Sequence, residues 1–273
     1  MDKISYALEK QKKESSITTE GLFTDSPEQI SLEDKEAGLT EKLHPGYKFN
    51  DKLVVLSAPY SVDAENFKVL RGRILFSRDH KRPRTIMVTS AYPGEGKTFV
   101  AANLAVSIAL GIDEYVLAVD CDLRRPRLHE MLGDINREGL HEHLTGEKAL
   151  KDLIVKTEVD KLSLLPAGKQ PQNPIELLSS SLMVDFLEEI KSRYNDRFIV
   201  IDSTPSLITA EVNILANHVD GVILVVMAQK SPRAAIQKTV QNLGKEKILG
   251  IVFNGYEQAH RGYNKYYKQY YKK

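Results

Sequence analysis

Short apolar runs alternate with longer amphipathic stretches over most of the chain, from residue 84 to residue 253. Several runs are apolar at consecutive positions, a pattern typical of strands that are covered on both faces. This alternation predicts an α/β fold with a mostly parallel, twisted sheet and helices on both of its faces. The predicted strands cover residues 85–89, 115–119, 162–165, 198–201, 222–226 and 248–253, and the predicted helices lie near residues 97–111, 175–193, 209–218 and 231–243.

The same pattern divides the chain into three parts. Residues 1–50 carry ten acidic residues against seven lysines, and we predict a flexible polar leader with a short helix at residues 3–13. Residues 51–255 form the predicted domain, and residues 256–273 form a tyrosine-rich tail. Near the start of the domain, apolar residues recur at helical spacing, with Asp63 as the predicted N-cap of their helix.

Composition excludes several classes of protein. The single cysteine, Cys121, excludes a disulfide framework and favours a reducing compartment. The chain has no run of about 18 apolar residues, so the sequence predicts no membrane-spanning helix. The 38 Lys and Arg against 37 Asp and Glu give a net charge of +1, which argues against a protein that binds nucleic acid through its overall charge.

The overall charge hides a basic tail that is rich in tyrosine. Six of the 12 tyrosines lie in the last 18 residues, beside five Lys and Arg and a single Glu, which gives a local net charge of +4. These residues are too polar for a core strand. One interpretation is a tail that docks on an anionic lipid or polymer, and a second follows from the motifs of the domain.

The loop after the first predicted strand has the composition of a phosphate-binding loop. Residues 91–98 read Ala-Tyr-Pro-Gly-Glu-Gly-Lys-Thr and lead into an Ala-rich helix, with Ala91 in place of the first Gly of G-x-x-x-x-G-K-[ST]. Lys97 is expected to reach the β and γ phosphates of ATP, and Thr98 to place its hydroxyl on Mg²⁺. The alternative is a Gly-rich turn with an exposed lysine. The predicted nucleotide-binding residues are Gly94, Glu95, Gly96, Lys97, Thr98 and Phe99.

Carboxylates follow two other predicted strands. Asp120 and Asp122 come directly after one strand, and Asp202 comes directly after another. Ligands in open α/β sheets bind at the carboxyl ends of the strands, and Mg²⁺ is usually held by one or two carboxylates together with phosphates. The alternatives are a helix N-cap for Asp202 and a solvated loop for the other pair. Cys121, which lacks a second cysteine or a suitably spaced histidine, is interpreted as a small residue without a function in metal binding.

In combination, these segments resemble the bacterial tyrosine kinases of polysaccharide export (BY-kinases). The resemblance covers about residues 55–273 and implies a fold shared with cell-division and plasmid-partition ATPases. Those ATPases carry an additional lysine early in the loop, where this chain has Tyr92, and this difference favours the kinase. The resemblance rests on the loop ending at Thr98, on Asp120-Cys121-Asp122-Leu123-Arg124-Arg125-Pro126, on Asp202-Ser203-Thr204-Pro205, on residues 165–168 and 173–178, and on the tyrosine tail.

The resemblance implies a tyrosine autokinase that requires ATP and Mg²⁺. Lys97, Asp120 and Asp122 are the predicted catalytic residues, and Asp120 is the implied base for the tyrosine hydroxyl. The choice between Asp120 and Asp122 as the base stays open. The predicted ligands of Mg²⁺ are Thr98, Asp122 and Asp202.

Further residues are assigned by the same resemblance. Asn254 is predicted either to contact adenine or to form an Asn-Gly turn at the end of the last strand. Arg124 is predicted either to contact phosphates or another subunit, or to be solvated. In relatives, a helix with the motif E-x-x-R-x-x-R contacts the next subunit of a ring. The corresponding residues here are Glu65, Lys68 and Arg71, so a lysine replaces the first arginine of the motif.

The implied function is autophosphorylation of the tail, largely on a neighbouring copy, which regulates the polymerisation and export of exopolysaccharide or capsule. The expected partners are a membrane-anchored activator on a separate chain, further copies in a ring when unphosphorylated, and a phosphotyrosine phosphatase, but no nucleic acid. The expected location is cytoplasmic, peripheral to the inner membrane. The alternatives are a partition or positioning ATPase without kinase activity and a non-catalytic nucleotide-binding regulator. The predicted phosphate acceptors are Tyr263, Tyr266, Tyr267, Tyr270 and Tyr271.

Overall fold

A seven-stranded sheet organises the part of the chain that the computed structural model describes, namely residues 50–76, 82–133, 138–193 and 196–256. The predicted leader helix at residues 3–13 and the five predicted phosphate acceptors of the tail lie outside the described residues. Within the described ranges, no helix combines the length and the apolar character needed to cross a membrane.

The strands and helices alternate along the chain as the hydrophobic pattern predicts. The strands are β1 (Thr85–Ser90), β2 (Tyr115–Asp120), β3 (Val155–Lys156), β4 (Leu162–Leu165), β5 (Arg197–Asp202), β6 (Gly221–Met227) and β7 (Ile248–Asn254). The helices are α1 (Val54–Ser57), α2 (Val62–Leu75), α3 (Lys97–Ala109), α4 (Leu128–Met131), α5 (Leu140–Leu144), α6 (Pro174–Leu178), α7 (Ser181–Arg193), α8 (Glu211–His218) and α9 (Arg233–Leu243). Short 3₁₀ helices lie at Leu150–Asp152 and Lys245–Lys247.

The sheet is mostly parallel, and its strand order is β3-β4-β2-β5-β1-β6-β7. Strand β3 alone among the described strands runs antiparallel to its neighbour, β4. The chain leaves β1, passes through α3 and returns as β2, which is separated from β1 by β5. This order brings the carboxyl ends of β2, β5 and β1 next to one another at the centre of the sheet.

Helices cover both faces of the sheet, which confirms the predicted architecture. Successive strand residues point to opposite faces, so Val88 joins one apolar cluster and Met87 joins the other. The first cluster packs α1, α2, α3 and α4 against the sheet, and the second packs α5, α6, α7, α8 and α9 against the opposite face. The strands therefore need apolar side chains at consecutive positions.

Three local features differ from the sequence-based expectations. The predicted helix at residues 175–193 is two helices, because the hydroxyls of Ser179 and Ser180 bond to the carbonyls of Ile175 and Leu177 and end the first one. The N-cap of α2 is Ser61, whose hydroxyl accepts the amide hydrogen of Ala64, so the prediction of Asp63 was wrong. Strand β3 and the short helices α1, α4 and α5 were not predicted, since elements of two to five residues carry too little periodicity.

Candidate active site

The candidate site lies where three neighbouring strands end. Asp120 at the end of β2 stands opposite Asp202 at the end of β5, and Asp202 stands opposite Val88 of β1. The loop that follows β1 contains the predicted phosphate-binding residues and ends at the first residue of α3, Lys97. The predicted carboxylates and the predicted loop therefore meet at one edge of the sheet.

Two glycines give the loop its shape. Gly94 and Gly96 have φ values of +81° and +94°, which side chains of L-residues rarely adopt. Gly96 is also the N-cap of α3, so the loop leads directly to the positive end of the helix dipole. A helix start of this kind is suited to bind the phosphates of a nucleotide.

Lys97 is the positive charge at the centre of the site. Its Nζ lies 2.7 Å from Oδ2 of Asp122 and 3.9 Å from Oδ1 of Asp202. Burial alone would lower the pKa of Lys97, but the charges of Asp202, Asp122 and Asp120 together raise that pKa above its usual value. Lys97 is therefore protonated and positioned to neutralise further negative charge, such as that of phosphates.

Asp202 has the surroundings of an unsatisfied metal ligand. It is fully buried, and neither of its carboxylate oxygens has a hydrogen-bond partner among the described residues. Burial raises the pKa of Asp202 to about 6, although the charge of Lys97 and the nearby Thr98 hydroxyl lower it. Since buried acceptors without partners are rare, this carboxylate and the Thr98 hydroxyl fit a Mg²⁺ ion that arrives with a nucleotide. The described residues contain no cluster of three or more His, Cys, Asp and Glu side chains for a metal held by protein alone.

Asp120 is buried and organises the loop after β2. Its oxygens accept the amide hydrogens of Asp122, Arg127 and Leu128 at 3.0 to 3.2 Å. Burial and the charge of Asp202 raise the pKa of Asp120 well above its usual value. Burial and the charge of Asp120 likewise raise the pKa of the buried Cys121 thiol, which disfavours its thiolate form.

Glu95 supports the phosphate-binding loop from within. Its Oε2 accepts the amide hydrogen of Tyr92 at 2.9 Å, and its Oε1 accepts the hydroxyl hydrogen of Ser231. The amide nitrogen of the Asn254 side chain donates to the carbonyl of Glu95 at 2.9 Å. The loop is thus tied to the segment after β6 and to the end of β7. Ser231 carries no motif in the sequence, and no local signal could have identified it.

Comparisons with known proteins agree with this geometry. An AAA domain family model matches residues 83–247. Tyrosine-protein kinase YwqD of Bacillus subtilis (strain 168) is 32% identical over 212 residues, which cover 77% of this chain and 88% of YwqD. Tyrosine-protein kinase CpsD of Streptococcus agalactiae serotype III (strain NEM316) is 33% identical over 195 residues, which cover 70% of this chain and 81% of CpsD. The chain belongs to the bacterial tyrosine kinases.

Solved structures separate the kinase from related ATPases. The kinase domain of Escherichia coli tyrosine kinase ETK has a TM-score of 0.71 at 26% identity and covers 82% of this kinase and 87% of its own chain. The chimerical protein CapA2B2 has a TM-score of 0.70 at 29% identity, and the match covers 82% of this kinase and 100% of the chimera. The septum site-determining protein MinD of Pyrococcus horikoshii, complexed with Mg-ADP, has a TM-score of 0.54 at 26% identity. That match covers 65% of this kinase and 72% of MinD. The fold is therefore shared with ATPases that bind magnesium and nucleotide, and the closer likeness is to tyrosine kinases.

Some kinases of the family are much longer than this chain. Tyrosine-protein kinase wzc of Salmonella typhimurium (strain LT2) is 28% identical over 217 residues, which cover 79% of this kinase but only 30% of wzc. The chain thus spans about a third of that relative.

The structure places the other predicted contact residues against the protein itself. Asn254 ends β7, and the next residue, Gly255, has a φ of +65°, while an Asn-Gly turn at this point stays a prediction. Adenine contact by Asn254 stays a prediction, as does nucleotide contact by Phe99, whose ring packs edge-to-face on Phe67. Nε of Arg124 bonds to the buried Glu211 at 2.9 Å while its side chain stays 43% exposed, so a contact with phosphates or another subunit stays a prediction.

The predicted ring contacts lie along one side of α2. Lys68 pairs with Glu65 and donates to the carbonyl of Pro59 at 3.2 Å. Arg71 donates to the carbonyl of Ser107 in the last turn of α3 at 2.7 Å. These contacts hold α2 within the kinase, and contact of the same residues with another subunit stays a prediction.

Glu142 is a buried carboxylate that the sequence analysis missed. It accepts the amide hydrogens of Gly139 at 2.7 Å and of Lys169 at 3.2 Å, and lies 3.4 Å from Nδ1 of His141. These bonds join the start of α5 to the loop after β4, directly after the segment of residues 165–168 on which the family resemblance partly rests. Burial alone would raise the pKa of Glu142, but hydrogen bonds from backbone amides, first among them that of Gly139, together with His141 lower that pKa below its usual value.

We expect the Glu142→Gln substitution to lower the free energy of unfolding by about 1–3 kcal/mol at pH 7, because the carboxylate acceptor of two amides is lost. A carboxylate with a lowered pKa stabilises the fold above its unfolded pKa, near 4.5, and this contribution disappears as the pH falls through the folded pKa. Urea unfolding at pH 7 and at pH 3.5 measures the difference. The exposed Glu147→Gln variant serves as the control, and an equal effect of Glu142→Gln at both pH values would contradict the prediction.

Proposed function

We propose that this kinase transfers the γ-phosphoryl group of ATP to tyrosines of its own tail, chiefly on a neighbouring copy. The observation that carries the proposal is the convergence of Lys97, Asp120, Asp122 and Asp202 at three adjacent strand ends. The same chain ends in six clustered tyrosines. A site for phosphoryl transfer and a concentrated set of acceptors are thus present in one protein.

Each residue has an assigned task in the proposed reaction. Lys97 and the amides of the glycine loop hold the phosphates, and Thr98, Asp122 and Asp202 hold Mg²⁺. When bound, Mg²⁺ neutralises part of the phosphate charge. Phosphoryl transfer requires mainly positioning and charge stabilisation, which these buried groups are placed to supply.

The transfer step forms a bond between the tyrosine Oη and the γ phosphorus and breaks the bond to the bridging oxygen, so that ADP leaves. The hydroxyl proton passes to a carboxylate, since tyrosine is protonated at neutral pH. We assign this proton to Asp120, as the family resemblance implies, because Asp122 is engaged by Lys97 at 2.7 Å.

The proposed setting is the regulation of capsule or exopolysaccharide export at the inner membrane. The support comes from the family resemblance of the motifs and from the similarity to the CapA2B2 chimera. A membrane-anchored activator on a separate chain, a ring of unphosphorylated copies and a phosphotyrosine phosphatase complete the proposed cycle. Six phosphates would change the local tail charge from +4 to about −5 to −8, which opposes return of the tail to a site lined by carboxylates.

A mixing experiment tests transfer between copies. One partner is the Lys97→Met full chain, which has a tail but no catalytic lysine, and the other is wild type shortened to residues 1–256. We expect phosphotyrosine on the Lys97→Met chain when the two are incubated together with Mg-ATP, and mass mapping will locate it at the tail tyrosines. Each protein incubated alone is the control.

ATP hydrolysis that proceeds without tyrosine phosphate, at a rate unaffected by removal of the tail, would favour the positioning ATPase instead. A full chain with all five tail acceptors changed to Phe separates loss of acceptors from loss of the tail. We expect that variant to bind ATP normally and to incorporate no phosphate in the tail.

A further inference from the structure

The loop after β2 presents three arginines at the edge of the active site. The side chains of Arg124, Arg125 and Arg127 are all exposed. Arg124 is engaged by Glu211. Among the described residues, the guanidinium groups of Arg125 and Arg127 form neither an ion pair nor a hydrogen bond. Two exposed, unpaired cations, separated in the chain by Pro126 alone, are available for an anionic ligand.

The backbone contacts of this loop show how close the two arginines are to the chemistry. The amide of Arg125 donates to Oδ1 of Asp122 at 3.0 Å, and the amide of Arg127 donates to Oδ2 of Asp120 at 3.2 Å. The loop is therefore wound around the two carboxylates. Both arginines are thus anchored through their backbone to the carboxylates of the site, and their side chains start at its rim.

We propose that Arg125 and Arg127 form a binding site for phosphotyrosine, which holds a partly modified tail while the next tyrosine enters the active site. This inference rests on the proposed function. An unmodified tail, with its net charge of +4, gains nothing from two further cations. A phosphate adds a charge of about −1.5 to −2 and three strong acceptors, and the planar guanidinium group binds phosphate through two parallel hydrogen bonds.

The spacing of the tail tyrosines fits this arrangement. Tyr263, Tyr266 and Tyr270 follow one another at intervals of three and four residues. In an extended chain these intervals span about 10–14 Å. The backbone of the two arginines lies within 3.2 Å of the carboxylates of Asp122 and Asp120, so this span suffices for a phosphotyrosine one interval away to reach them while its neighbour reaches Asp120. The first phosphate, which leaves the tail with a net positive charge of about +2, then increases the affinity of the tail for the site, and later ones follow on the same tail until its charge has reversed.

Peptide binding tests the site without relying on catalysis. Peptides of residues 257–273, either unmodified or phosphorylated only at Tyr270, are titrated into the dephosphorylated full chain without ATP at fixed salt. We expect the phosphopeptide to bind at least about tenfold more tightly, since charge-assisted hydrogen bonds replace repulsion. The Arg125→Gln/Arg127→Gln double variant should remove most of that difference. Arg84 is an exposed arginine just before β1, and the Arg84→Gln variant should leave the difference in affinity between the two peptides unchanged.

Several outcomes would overturn the inference. Equal binding of the two peptides would do so, as would displacement of the phosphopeptide by an equal concentration of inorganic phosphate, which indicates adventitious anion binding only. A large loss of ATP affinity in the double variant would assign the arginines to the nucleotide instead. Failure of the proposed function appears separately, as absence of tyrosine phosphate in the Mg-ATP reaction, while peptide binding is measured in its own assay.

Discussion

The Lys97→Met substitution should reduce tyrosine phosphorylation by about 1,000-fold or more, because it removes the cation that stabilises the transferred phosphoryl group. In the structure, Nζ of Lys97 lies 2.7 Å from Asp122 and 3.9 Å from Asp202, with its side chain only 13% exposed. No other lysine among the described residues contacts these carboxylates. Quantitative phosphotyrosine mass mapping after incubation with Mg-ATP measures the loss.

The same variant makes a second prediction, about stability. Without Lys97, the buried Asp120, Asp122 and Asp202 lack their positive partner, so the pKa of Asp202 should rise further above about 6. The folded state then holds protons that the unfolded state has released. The free energy of unfolding of the variant should therefore decrease as the pH rises from about 6 to about 8. The exposed Lys169→Met variant is the control. Normal phosphorylation by a folded Lys97→Met protein would contradict the assignment of the site.

The Gly96→Ala substitution should lower the affinity for nucleotide by about 100-fold or more. Residue 96 has a φ of +94°, which costs about 1–2 kcal/mol for a residue with a side chain. A Cβ atom at this position would also lie 2.0 Å from Nδ2 of Asn254, so the Asn254 side chain must move and its hydrogen bond to the carbonyl of Glu95 is disturbed. Isothermal titration with ATP and Mg²⁺ measures the change.

Two other glycines provide matched controls. Gly94 has a φ of +81°, but a Cβ atom there would have no other atom within 4 Å. The Gly94→Ala variant should therefore have the backbone strain of a positive φ without a steric clash. Gly72 lies in α2 with ordinary backbone angles and open space, and Gly72→Ala should stabilise the fold by about 0.5–1 kcal/mol. The Asn254→Gly change should partly rescue Gly96→Ala by removing the clash. Equal affinities of the Gly94→Ala and Gly96→Ala proteins would show that the contact with Asn254 is unimportant.

Local sequence was sufficient for much of the site. The glycine loop, Lys97 and Thr98 were predicted because a strand, a glycine turn and a helix start follow one another directly in the chain. The carboxylates Asp120 and Asp202 were predicted because each directly follows an apolar run. The parallel sheet with two covered faces was predicted because its strands are apolar at consecutive positions.

Supporting contacts between distant segments were not predictable in this way. Ser231 bonds to Glu95 across 136 residues, and Glu142 bonds to the amide of Lys169 across 27 residues. Neither serine nor glutamate carries a periodic or motif signal at these positions. The pairing of Arg124 with Glu211, 87 residues away, was missed for the same reason.

The sequence by itself determined the class of fold, the phosphate-binding loop and the family, because these depend on residues that are neighbours in the chain. Only the tertiary structure decided that β5 lies between β1 and β2, which sets Asp202 opposite Asp120 and within 3.9 Å of Lys97. It also decided that Arg124 is engaged by Glu211, whereas Arg125 and Arg127 form no ion pair among the described residues. Strand order and ion pairing depend on how distant segments pack together, and apolar periodicity records only which face of an element is buried.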